Sequence, residues 1–142
     1  MVLDTNIVLD LFFFHDARCG PLAEAVMQRH LQWVASTEMR EELSHVLSRG
    51  IRGSWIATSA AVLEAFDRWT TRVESPGSAS RHDMRCTDPD DQKFIDVALH
   101  VKAAALISRD RAVLKLARRA TAHSLRIVTL SQWTEQAARM LR

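Results

Sequence analysis

The sequence contains no tyrosine, only two cysteines, and few aromatic residues overall, at 6%. Without a run of rings, no base-stacking platform of the kind used by single-strand binders is evident. Cys19 and Cys86 are too few to build a disulfide framework. No apolar run reaches the roughly 20 residues that a membrane-spanning helix requires. The opening Met1-Val2-Leu3-Asp4 has no basic stretch ahead of an apolar core, so no signal peptide is expected and the cytoplasm is the simplest location. Repeats and low-complexity tracts are lacking too. No Cys pair or His-Glu-x-x-His segment offers a zinc site, and the six histidines have no metal-ligand spacing.

A large charge of one sign is also missing. Nineteen basic side chains against seventeen acidic ones leave a formal charge of +2, too little to announce a nucleic-acid partner by itself. The bases are nearly all arginine; the only lysines are Lys93, Lys102 and Lys115. Arginine suits bidentate phosphate contacts, although a GC-rich coding sequence produces the same bias. With 142 residues, 47% hydrophobic and 25% charged, the chain has the length and composition of one globular domain, expected to span 1–142.

What is present is an alternation of apolar runs and helical periodicity. Met1–Asp4 reads as a buried strand, Thr5–Phe14 as a very apolar helix, Pro21–Trp33 as a second helix and Trp33–Ala35 as a second strand. Ser36 or Thr37 can cap a helix running to Ser48, which Gly50 and Gly53 break. Ser54–Trp69 reads as a helix, Thr71–Glu74 as a strand, and Glu74–Asp83, headed by Ser75-Pro76-Gly77-Ser78, as a loop. Asp88 and Pro89 have the pattern of an N-cap and first position of a helix to Val101. Ala104–Ser108 is a strand, Arg111–Arg119 a helix, Arg126–Leu130 a strand and Ser131–Leu141 a closing helix. This order predicts an α/β domain with a mostly parallel sheet, and in such sheets ligands bind beyond the carboxyl ends of the strands.

Carboxylates gather at those ends. Asp4 closes the first strand; Glu41 and Glu42 follow the second; Asp88, Asp90 and Asp91 open a helix; and Asp110 follows Ser108-Arg109. Crowded together they would raise one another's pKa, a state that a divalent cation relieves, and an oxygen-only set suits Mg²⁺ or Mn²⁺. Each also has a local explanation. Asp88 and Asp110 can be N-caps, Asp90 and Asp91 can complement a helix dipole, and Glu41 can sit on a solvated face. Asp4 resists one, because a carboxylate in an apolar strand is costly to bury unpaired.

The pattern resembles the PIN-domain family, in particular single-domain toxins of the VapC type. Val2-Leu3-Asp4-Thr5-Asn6 looks like the first acidic motif. Ser36 to Leu43 looks like the second, with Glu42 on the acidic position. Asp88 to Ile95 looks like the third, with Asp91 facing the metal, and Leu106 to Asp110 looks like the fourth. The resemblance implies a three-layer α/β/α domain around a central, mostly parallel sheet of about five strands. It implies a metal-dependent ribonuclease that hydrolyses RNA phosphodiester bonds with Mg²⁺ or Mn²⁺ held by Asp4, Glu42, Asp91 and Asp110, with Asp88 as a further candidate ligand. Asn6 and Ser108 would orient the carboxylates, Asn6 or Thr5 alternatively only capping the first helix. Arg109, Arg111 and Lys93 would contact substrate phosphates or simply neutralise an acidic rim. An antitoxin protein and a homodimer are the implied partners. Many relatives carry one more acidic residue where this chain has Ala112, which leaves a second metal open and supports the alternative of a catalytically weakened RNA- or protein-binding module. A phosphotransfer fold with an Asp-x-Asp nucleophile is disfavoured, since Asn6 stands two residues after Asp4.

Phe12, Phe13 and Phe14 extend the apolar character of the first helix, either as core or as a partner-facing surface. Trp33, Trp55, Trp69 and Trp133 are expected as core or interface anchors, His45 and His100 as helix surface, and Cys86, among acidic neighbours, as an inert thiol.

Overall fold

The computed structural model describes residues 1–50, 56–77 and 82–140. Its strands are β1 (Val2–Leu3), β2 (Trp33–Ser36), β3 (Thr70–Val73), β4 (Ala105–Ile107) and β5 (Arg126–Val128). β1 and β4 run parallel with Leu3 opposite Ile107, β4 and β5 run parallel, and β2 and β3 run parallel with Ser36 opposite Val73. These ladders define a three-stranded sheet, β1-β4-β5, and a two-stranded sheet, β2-β3. The two join at Met1. Its amino group donates to the Gln32 carbonyl at 2.9 Å, and its carbonyl accepts from the Val34 N–H at 3.0 Å. That is the bond pattern of a parallel pair centred on Met1 and Trp33. The strand layer therefore reads β3-β2-β1-β4-β5. The expected five strands are present, with a seam one residue wide because β1 is only two residues long.

Successive strand residues face opposite sides of a sheet. Val2 and Leu3, Trp33 to Ser36, and Ala105 to Ile107 are all buried, so the middle strands are covered on both faces. The outer strands β3 and β5 keep partly exposed residues, as edges should. The result is the three-layer arrangement of helices around a parallel sheet.

The helices follow local chemistry, with several boundaries shifted from the sequence reading. α1 (Thr5–Phe12) buries Ile7, Val8, Leu9 and Leu11. α2 (Gly20–Met27) is shorter than the expected Pro21–Trp33. Arg29 adopts the left-handed region, φ 54°, and the N–H groups of Arg29 and His30 turn back to the carbonyls of Val26 and Ala25 at 3.1 and 3.0 Å, which closes the helix. In α3 (Thr37–Ser48) the cap is Ser36, whose hydroxyl accepts the Met39 N–H at 3.3 Å. Met39, Leu43 and Leu47 line its inner face, and Gly50 at φ 77° leads the chain away. Arg40 clasps Asp67 of α4 (Ile56–Trp69) through two bonds of 2.7 and 2.8 Å.

Asp88 does not open an α-helix directly. It caps a 3-10 turn, Pro89–Asp91, and α5 (Gln92–His100) starts after it. The helix expected over Arg111–Arg119 is two pieces, α6 (Arg111–Leu114) and α7 (Ala117–Ala120). Between them the Leu116 N–H bonds three residues back, to Val113 at 3.0 Å, and this tightened turn lets Val113, Leu116 and Ala120 all reach the core. The closing helix is α8 (Leu130–Met140). Gly53, Ser54, Trp55, residues 78–81 and Leu141 lie outside the described residues. Among the described residues no helix is long and apolar enough to cross a membrane.

Phe12 does not project outward as a partner surface; it stacks on Trp33, with ring centroids 5.9 Å apart, and is partly buried. Phe14 is the exposed member, at 52%. Trp33 also meets Phe66 edge-on at 5.2 Å, while Trp69 and Trp133 pack on the margin of the core. His45 and His100 are on the surface as expected. Trp33 is 1% exposed. Trp33→Ala is therefore expected to lower the unfolding free energy by about 3–5 kcal/mol, whereas Glu41→Ala on the exposed face of α3 should change it by less than about 0.5 kcal/mol. Urea denaturation of both variants checks this.

Candidate active site

Parallel pairing of β1 with β4 brings Asp4 beside Ser108, because Leu3 and Ile107 are register partners and the next residues follow them off the same sheet edge. Asp4 is 3% exposed. Its carboxylate accepts the Ile7 N–H at 3.1 Å, making it the N-cap of α1, and its other oxygen accepts the Ser108 hydroxyl. Ser108, itself fully buried, accepts the Asp110 N–H at 3.0 Å. One hydroxyl thus connects the ends of two strands and both acids. Asp110 is in turn the N-cap of α6, accepting the Ala112 N–H at 2.9 Å.

The third acidic segment arrives from the 3-10 turn. Asp88, Asp91 and Asp110 each place a carboxylate oxygen within 4.8 Å of the others. Asp88 caps its turn through the Asp90 N–H at 3.0 Å. The Asp91 side chain makes no cap hydrogen bond, and among the described residues its buried Oδ2 has no hydrogen-bond partner. Burial raises the Asp91 pKa first, and the facing Asp110 carboxyl, Asp88 and Asp4 raise it further, to about 7. Burial likewise pushes Asp4 upward, against the hydrogen bonds from Ser108 and Ile7. An orphaned anionic oxygen among like charges is the donor set that a divalent cation satisfies, so the residues fit the ion expected of them.

Glu42, on α3, lies apart from that triad. One oxygen accepts the Thr5 hydroxyl, and the other accepts the Lys93 ammonium at 2.7 Å. Lys93 also donates to the Asp90 carbonyl. The lysine expected to contact substrate phosphate or to neutralise an acidic rim is therefore paired with Glu42. Asn6, expected to orient a carboxylate, is exposed, and its side chain makes no hydrogen bond among the described residues. Thr5 faces Glu42 instead, and the cap of α1 is Asp4 rather than Thr5 or Asn6. Arg109 is half exposed and points toward Asp10, 3.5 Å away. Arg111 is exposed.

Three residues were missed in the sequence. Thr5 reads in the sequence only as a cap, yet its hydroxyl donates to Glu42. Gln92 accepts the Cys86 N–H at 2.6 Å and donates to the Met84 carbonyl and to Asp96, so it fastens the segment leading into Asp88; nothing in its spacing advertises this. Asp10 could have been found, since a carboxylate within Ile7 to Phe12 needs a reason to be buried. The Cys86 thiol is pushed up by burial and by Asp91, Asp88 and Asp110, consistent with an inert residue.

Among known proteins, the sequence matches the PIN domain family over residues 1–112, the span that holds Asp4, Glu42, Asp88, Asp91 and Asp110. Among solved structures the fold is similar to one described as VapBC2 from Rickettsia felis bound to a DNA fragment from their promoter. The TM-score is 0.64 at 15% identity, covering 90% of this chain and 96% of that one. At that identity the likeness is one of fold. No curated protein matches the sequence.

The raised Asp91 pKa makes a prediction about stability. The folded metal-free protein holds a proton on Asp91 that the unfolded chain loses near pH 4, so this group's contribution to stability falls as pH rises from about 4 to about 7. Asp91→Asn should therefore be more stable than the parent at pH 8, with the difference shrinking toward pH 4. Thermal melts of both proteins in EDTA across this range measure it. A loss of stability at pH 8 would contradict the crowding.

Proposed function

The chain belongs to the PIN-domain family, and on that premise we propose that it is a metal-dependent endoribonuclease, a single PIN-like domain over residues 1–142. The buried, unpartnered Oδ2 of Asp91 beside Asp88 and Asp110 is the observation that carries this reading. A divalent ion, Mg²⁺ or Mn²⁺, supplies Lewis acidity at a phosphodiester and makes water a better nucleophile. Asp91 and Asp110 are the residues to hold it, with Asp88 alongside. Asp4 stands behind them, fixed by Ser108 and by its own helix. Ser108 sets the distance between the first and fourth acidic segments through its two hydrogen bonds. Glu42 completes the acidic set from α3. Arg109, directed toward Asp10, and Arg111, both exposed and flanking Asp110, are the candidate contacts for substrate phosphates.

We further propose a narrower reading, the toxin component of a toxin-antitoxin pair, for which the likeness in fold to VapBC2 speaks; a homodimer and a cytoplasmic location belong to that proposal. Phe14 and Met27, 52% and 47% exposed, are apolar groups available to a protein partner.

Cleavage of a mixed set of structured and single-stranded RNAs, with Mg²⁺, Mn²⁺ or EDTA, tests the activity. Cutting is expected to need the ion and to fall about 100-fold or more in Asp91→Asn and Glu42→Gln, the scale of losing one charge-stabilising group. Mn²⁺ should raise the melting temperature of the parent by more than that of Asp91→Asn at the same concentration. Mn²⁺-induced stabilisation without cleavage of any RNA would favour the non-catalytic binding module instead.

A further inference from the structure

Positive charge is distributed unevenly over the five carboxylates. Among the described residues, Asp88, Asp91 and Asp110 converge with no ion pair to a basic side chain, and Asp91 Oδ2 has no hydrogen-bond partner. Glu42, by contrast, has both oxygens engaged, one by the Thr5 hydroxyl and one by Lys93 Nζ at 2.7 Å. The Lys93 and Glu42 side chains are only 21% and 25% exposed. An ion pair so far withdrawn from water is screened much less than a surface pair, and removing one partner leaves the other charge uncompensated. Lys93 is held from further directions as well. Its ammonium donates to the Asp90 carbonyl and lies 5.1 Å from the centre of the Phe94 ring. A lysine ammonium has three N–H donors, and Glu42 and Asp90 take two of them.

We propose that Lys93 is a built-in cation of the site. Its ammonium occupies the place at Glu42 that a second divalent ion would otherwise take, so the site holds one divalent ion, at Asp88, Asp91 and Asp110. The remaining N–H of Lys93 is offered to a non-bridging oxygen of the substrate phosphate. Glu42 and the Asp90 carbonyl are the groups that position it, which gives Glu42 a role other than direct ligation. This inference rests on the metal-dependent nuclease reading above. Electrostatics favour the division, because a dication entering at Glu42 would have to break a partly buried pair and then stand next to the displaced ammonium.

The test is calorimetric titration of the full metal-free chain with MnCl₂, which needs no RNA. The parent should take up one Mn²⁺ per chain. Lys93→Met, similar in length and uncharged, should take up a second ion or bind Mn²⁺ about tenfold more tightly, while Lys93→Arg should restore the single-ion isotherm. Glu42→Gln should still bind one ion within about threefold of the parent, and Asp91→Asn should weaken binding by about tenfold or more. Circular dichroism melts establish that each variant is folded. Two ions in the parent, an unchanged isotherm in Lys93→Met, or loss of the ion in Glu42→Gln would overturn the proposal. No uptake by any protein would overturn the metal-nuclease reading and this inference with it. A single-ion isotherm with the expected Lys93→Met change supports the inference even where no RNA is cut.

Discussion

The Ser108 hydroxyl, donating to Asp4 and accepting from the Asp110 N–H, is the contact on which the acidic site depends. It is possible only because β1 and β4 are parallel neighbours with Leu3 opposite Ile107. Both residues that follow the strands are then carried to one edge of the sheet. A buried carboxylate would be intolerable there without donors. Asp4 finds them in Ser108 and in the first turn of α1. Placed so, it adds its charge to Asp110 and Asp91, and the repulsion that follows gives the site its demand for positive charge.

The local and functional explanations of these acids turn out to be compatible. Asp4, Asp88 and Asp110 are each an N-cap and each part of the acidic cluster. A cap directs one carboxylate oxygen at backbone N–H groups, where the partial positive charge of the turn offsets some of its own. The same bond fixes the side chain's direction and leaves the other oxygen to face its neighbours. Three helical segments beginning at one edge of the sheet are thus how the fold gathers like charges without unfolding. Asp91 lacks this compensation, and it is the one with the orphaned oxygen and the strongly raised pKa.

Particular elements show how far the sequence could be read. The succession of strands along the chain, the capped start of α3 and the acidic segments were legible, because apolar runs and capping residues act over a few positions. The end of α2 was not, since Arg29 in a left-handed conformation carries no signal that a glycine would have carried. Nor was the break between α6 and α7, which packing imposes by drawing Val113, Leu116 and Ala120 inward together. The sequence favoured core for Phe12 without excluding a partner-facing surface, and its stacking on Trp33 decides for the core.

The candidate site divides along the same line. Local sequence alone determined which acids stand at strand ends and helix starts, because strand periodicity and N-cap chemistry are short-range. The tertiary structure alone decided how their charges are shared: Lys93 reaches Glu42 across 51 positions, Ser108 reaches Asp4 across 104, and Asp91 reaches no hydrogen-bond donor at its second oxygen. The direction and reach of a side chain across a sheet edge depend on which strands become neighbours. That is settled only when the whole layer β3-β2-β1-β4-β5 has formed and its central strands are buried on both faces.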